Sequence, residues 1–224
     1  MKPSEDPSES SLRLAPTVLL LAGMLVFGVG GIFLYLDRLT DRLIEDSAIE
    51  YASLLSTALA EFRTLYTSEV VGVAESHGIA VTQDYADRDD AIPLPATLAI
   101  MLGDRIGAEH TNARTRLYSP YPFPRREESG GLRDDFALAA WERLSANPSE
   151  TFVRFSGAED ARVLRFATAD LMRAECVSCH NTHPDTPKSD WEVGDVRGVL
   201  EVILPIDRQV EQARAPCFEA RSSC

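Results

Sequence analysis

From Ala15 to Leu36 the chain reads APTVLLLAGMLVFGVGGIFLYL, 22 positions without a charge, and about 20 apolar residues are what a helix needs to cross a bilayer. No small-x-small cleavage site follows before Asp37, so the pattern predicts an uncleaved signal anchor rather than a signal peptide. Beyond it, Leu39, Leu43, Ala52, Leu55, Leu59, Phe62 and Tyr66 recur at spacings of three, four or multiples of them, the period of an amphipathic helix. This stalk is predicted to run to about Val73.

Ser76 to Asp90 is polar, carries an acidic DYADRDD patch and reads as a connecting loop, after which Pro93 and Pro95 introduce a second amphipathic segment, PATLAIMLGDRIGAE. In TRLYSPYPFPRREESGG, Pro120, Pro122 and Pro124 exclude regular helix and central strand, which predicts an irregular, aromatic-lined segment. Leu132 to Asn147 places Phe136, Ala139, Ala140 and Leu144 on one helical face, and Pro148 stops it. TFVRFSG and ARVLRFATA flank a Gly-Ala-Glu-Asp turn, and GVLEVILPI adds a third β-rich run. Three antiparallel strands with helices on one side make an α+β domain. The expected organisation is a cytoplasmic N-terminus at 1–14, a transmembrane anchor at 15–36, a helical stalk at 37–75, one domain at 76–206 and a tail at 207–224.

Composition refines this picture in two respects. The 35 acidic and 22 basic residues leave a formal charge of −13, which opposes phosphate backbones and argues against a nucleic-acid partner. Lys2 and Lys188 are the only lysines, so nearly every cation is an arginine. Lys2 and Arg13 precede the span while Arg38 and Arg42 follow it, so positive charge alone does not orient the anchor.

Cys176-Val177-Ser178-Cys179-His180 is the C-x-x-C-H pattern of c-type haem attachment. Two thiols three positions apart can add to the two vinyl groups of one haem, and the histidine that follows can present an imidazole nitrogen to the iron. A zinc site is one rival, since Cys176, Cys179, His180 and His183 offer four ligands within eight residues, although adjacent Cys179 and His180 fit poorly into separated ligand pairs. A redox-active dithiol is another; it needs a helix N-terminus after a strand, whereas the preceding ADLMRAE reads as helical. Bacterial c-haem attachment takes place outside the cytoplasmic membrane, so motif and anchor together predict a single-pass protein of the bacterial inner membrane with its domain in the periplasm. Cys217 and Cys224 could pair there or remain free.

LYSPYPFPRR, VLRFATADLM and CVSCHNTHPDTPKSDWEVGDVRGVLEV together resemble the periplasmic c-type haem-binding PAS-like sensor domain family, one catalogued as a domain of unknown function. The resemblance covers roughly Pro93 to Ile206. It implies an α+β, PAS-like antiparallel sheet with long N-terminal helices, here preceded by one transmembrane helix. It also implies one covalently attached haem c, with Cys176 and Cys179 as thioether anchors and His180 as proximal ligand to the metal. Tyr118, Pro122, Phe123, Pro124 and Arg125 match the upstream signature and are expected in the haem wall, with Arg125 or Arg165 pairing with a propionate. Asn181, Asp190, Trp191, Gly194, Asp195, Arg197 and Gly198 are expected in turn-forming and structural roles.

The second axial ligand stays open among Met101, Met172, His77, His110 and His183, with Cys217 and Cys224 as the available thiols, because no cysteine lies between Asp37 and Glu175. Met/His and His/His ligation differ in potential, and an empty position can bind a diatomic gas. Three functions follow: a membrane-anchored haem sensor of redox state or a gas, a tethered electron-transfer c-type cytochrome, and a zinc-stapled structural module. Beyond Ile206 the sequence shows neither a second span nor an output domain, so a sensor is expected to work through a signalling or redox partner protein or as a homodimer. No nucleophile-base constellation or phosphate-cradling glycine loop is present, and no enzyme is expected.

Overall fold

Helix α1 (Pro7–Leu65) takes in both the apolar run and most of the predicted stalk. The computed structural model describes residues 7–110, 112–158 and 162–206, the side chains of 7–17 and 110 excepted. The chain divides into two compact units, Met1–Asp46 and Ser47–Cys224. In the first, the apolar side chains from Val18 to Leu36 all face outward, Phe27 at 85% exposure. Among the described residues α1 is the one helix long and apolar enough to cross a membrane, and a helix suits hydrocarbon because its backbone bonds are satisfied internally.

The second unit starts within α1, where Ala48, Ala52, Leu55 and Leu59 are buried at the three- and four-residue spacing of one helical face. A π-helical stretch, Tyr66–Val71, and a short α2, Gly72–Ser76, prolong the helical course past the predicted end. The polar loop that follows contains β1 (Ala80–Val81) and β2 (Ala91–Ile92), paired in parallel, before α3 (Pro95–His110) begins on the expected proline.

The sheet has four strands rather than three, all antiparallel, in the order β3-β6-β5-β4. β4 (Thr151–Ser156), β5 (Val163–Leu171) and β6 (Val196–Pro205) are the three expected runs, and β3 (Arg114–Tyr118) is the addition. β3 lies on an edge with Tyr118 opposite Val199, and the prolines begin only after it ends. A short α4 (Glu127–Gly130) precedes α5 (Asp135–Ala146), whose N-terminus is capped by the Asp134 carboxylate accepting from Ala137 N at 2.8 Å.

Helices cover both faces of this sheet, not one. Alternation along β5 places Ala167 beneath Phe136, Ala137, Ala140 and Leu144 of α5. The residues between point the other way, where Thr168 hydrogen-bonds Ser56 at 2.8 Å and Asp170 pairs with Arg63, both partners on α1.

Candidate functional site

α6 (Ala174–Thr182) connects the two central strands and carries the whole C-x-x-C-H motif. Cys176, Cys179 and His180 stand three and four positions apart, so one face of the helix presents both thiols and the imidazole. β5 continues through Ala169, Asp170 and Leu171, so the segment read as helical is a strand and α6 starts only at Ala174. The motif therefore opens a helix that follows a strand, the context a redox dithiol would need. The strands it joins are antiparallel, however, and burial, then Glu75 and Cys176, push the Cys179 thiol up, the opposite of an activated thiolate.

A cavity of about 480 Å³ faces the motif, within the ordinary range for a cofactor site. Cys176, Cys179 and His180 line it together with Phe123, Pro122, Pro124 and Leu117, while the helical wall contributes Arg63, Thr67, Val71 and Glu75. Phe123 packs against His180 and His183, with ring centroids 5.5 and 5.2 Å apart. Burial, then Arg197, pushes the His180 imidazole down to about 4, which keeps it neutral, the form that ligates metals. Arg197 Nε donates to His180 Nδ1 at 3.2 Å and its Nη1 to Ser119 Oγ at 2.8 Å.

The loop after α6 is fixed largely by side chains of the signature. Asn181 bonds Trp191 in both directions, at 3.0 Å to its carbonyl and 2.9 Å from its amide, and the buried Trp191 ring meets Tyr121 edge-on. Asp195 accepts from Glu192 N, and Gly194 occupies a positive φ of 95° that favours glycine. At Gly198 any Cβ would come within 2.5 Å of the Tyr118 carbonyl, so only glycine lets β3 and β6 approach this closely.

Tyr118, Arg125 and Arg165, expected in the haem wall, stand differently to the cavity. Tyr118 borders the cavity, but its side chain belongs to the cluster under α5, with its hydroxyl unpartnered. Arg125 also borders the cavity, yet its guanidinium is exposed and held by both carboxylate oxygens of Asp84 at 2.7 and 2.8 Å. Arg165 does not line the cavity. It is engaged on the α5 face with Glu201 at 2.5 Å and Asp134 at 3.0 Å, because its position on β5 shares the alternation of Ala167. The arginines that do reach the cavity buried or half-buried are Arg63, Arg126, Arg173 and Arg197. Arg63 pairs with Asp170, whereas among the described residues the Arg126 guanidinium bonds only the Leu117 carbonyl, at 3.0 Å. Burial lowers the pKa of both Arg126 and Arg197, Arg126 and Arg63 depress Arg197 further, and Asp170 opposes them. No sequence pattern singles out Arg126 from its neighbour or ties Ser119 to Arg197.

Of the second-ligand candidates, Met172 and His183 line the cavity. Met172 is buried; His183 stands at the end of α6, where its Nδ1 accepts from Asp185 N at 3.1 Å. Met101 accepts from the Tyr85 hydroxyl, and His77 Nδ1 lies 2.9 Å from the Val73 carbonyl, both outside the cavity lining. The His110 side chain, Cys217 and Cys224 lie outside the described residues. Among the described residues no three His, Cys, Asp or Glu side chains converge to hold a metal ion, so the four residues of the zinc reading do not form a tetrahedral set. Haem iron needs only one or two protein ligands, because the porphyrin supplies four.

Residues 41–205 match the Tll0287-like family, and the chain belongs to it. The match reaches upstream of the resembling segment into the stalk. No curated protein and no solved structure matches the chain.

Proposed function

We propose that this member of the Tll0287-like family carries one c-type haem, thioether-linked to Cys176 and Cys179 with His180 as proximal ligand, and serves as a membrane-anchored sensor of redox state or a diatomic gas. The observation that carries the reading is the convergence of two thiols and a neutral imidazole, from one face of α6, on a cavity of about 480 Å³. Family membership supports a haem-binding domain. The donor set fits: apolar walls for a macrocycle, thiols for its vinyl groups, an imidazole for its iron and guanidinium groups for its carboxylates. The bound group would supply reversible one-electron chemistry and an axial position for a ligand. We read the fold as PAS-like, α1 as a single-pass anchor in the bacterial inner membrane, the domain as periplasmic, and the output as passing to a partner protein or between anchors of a homodimer, with no catalysis of its own.

A tethered electron-transfer cytochrome is the second reading, favoured by buried Met172 in the cavity lining, a thioether that would close the axial position. Expression in a host with c-haem maturation machinery, followed by a pyridine haemochrome spectrum and haem staining of a denaturing gel, tests the shared premise. A c-type spectrum that survives denaturation is expected, and absence of haem would sink both readings. Carbon monoxide binding to the ferrous protein then separates them: binding supports the sensor, and a six-coordinate haem indifferent to the gas supports the carrier.

A further inference from the structure

We infer that Arg126 and Arg197 are the seat for the two carboxylates of the tetrapyrrole, an assignment that rests on the haem reading above. Five arginines line the cavity: Arg125 is held by Asp84 and Arg63 by the half-buried Asp170, which leaves Arg126, Arg173 and Arg197. Of these three, Arg126 and Arg197 are fixed in the wall by hydrogen bonds to the Leu117 carbonyl and to Ser119 and His180, close enough for the Arg126 charge to weigh on Arg197, and so form the pair placed for two propionates. Neither Arg126 nor Arg197 has an ion-pair partner among the described residues. Glu75, Glu175 and Asp185 also border the cavity, but all three are exposed and none bonds either arginine. Holding cations out of water without counter-charges is costly, and their confinement to one cavity is the signature of a site for an anion.

The contact between Arg197 and His180 points the same way. Arg197 Nε donates to Nδ1 of the ring, which requires an unprotonated Nδ1. A neutral imidazole that gives Nε2 to a metal carries its proton on Nδ1 and cannot accept that bond. The bond therefore belongs to the haem-free protein, and loading frees Arg197 for an acceptor of opposite charge. Its guanidinium already lies over the rings of Trp191 and Phe123, 5.3 and 5.8 Å from their centroids, which confines its movement to the cavity side. Arg125, the neighbour of Arg126 in sequence, is held by Asp84 and takes no part.

The full chain in detergent, expressed without haem maturation, can be titrated with iron-free protoporphyrin IX and with its dimethyl ester, followed by porphyrin fluorescence. The diacid is expected to bind about tenfold tighter or more, a preference that the double variant R126Q/R197Q loses, R126K/R197K largely retains and R125Q leaves intact. The wild-type comparison needs no variant to fold. Equal affinity for acid and ester, or a preference removed by R125Q and kept by R126Q/R197Q, overturns the seat. A wild-type chain that stains for covalent haem but shows no acid preference removes the seat alone, as does one that stains and binds neither porphyrin. A chain that binds neither porphyrin and takes up no haem in the maturation host removes the haem reading and the seat with it.

Discussion

Two arginine clusters lie in the second unit, and they differ in charge balance. On the α5 face, Arg116 and Arg165 meet Asp134 and Glu201, two cations to two carboxylates, with Glu201 fully buried. Around the cavity, Arg63 pairs with Asp170, whereas Arg126, Arg173 and Arg197 have no ion-pair partner among the described residues. The first set balances its own charge and ties β3, β5 and β6 to the N-terminus of α5, whereas the second leaves guanidinium groups for something else to complete. Burial of an arginine is thus no mark of a binding site, and the imbalance of its neighbourhood is.

The largest effect should come from opening the closed set. Glu201→Ala leaves Arg165 and Arg116 half-sequestered without their buried partner and should cost about 3–5 kcal/mol, read as a fall in the urea midpoint. Arg126→Met should move stability of the haem-free protein by no more than about 1 kcal/mol, since it removes one carbonyl hydrogen bond together with an uncompensated charge. A cost at Arg126 as large as at Glu201 would erase the distinction between the clusters.

A smaller, pH-dependent effect belongs to Asp134. Burial raises its carboxyl pKa, but the Ala137 amide, Arg165 and Arg116 outweigh burial and hold it below the usual carboxylate value. A depressed folded-state pKa contributes stability that is present above the unfolded value, about 3.9, and disappears as pH falls through the folded one. The gap in thermal midpoint between wild type and Asp134→Asn should therefore be full at pH 6 and shrink steadily below pH 4. A gap independent of pH would mean that the carboxylate serves only as a cap.

The sequence and the structure agree where one period or one spacing governs. α5 is visible as a helical face, the runs that became β4 and β6 as β-rich segments, and C-x-x-C-H as a fixed spacing. β3 was hidden because RTRLY interleaves arginines that look solvated, and Arg116 finds its carboxylates only through the sheet. The last turn of residues in β5 was masked by the helix formers Leu171, Met172 and Ala174 around it, while pairing with β6 decides the matter, Asp170 opposite Gly198. The choice between Arg125 and Arg126 was beyond any local rule: in the tight turn Pro124–Arg126 successive side chains point about 120° apart, so one meets Asp84 and the other the cavity.

The π-helical stretch at Tyr66–Val71 gives the cavity its long wall. In a regular α-helix of 3.6 residues per turn, positions four apart drift by about 40° each step, so a row such as Arg63, Thr67, Val71 and Glu75 would wind through about a third of the circumference. A turn closed from i to i+5 holds more residues and takes back part of that drift. The widened turn acts as a phase correction, letting a stride of four keep facing one direction along a flat surface. Its length is set in whole residues, so a single deletion within it would rotate the row on one side of the break relative to the other.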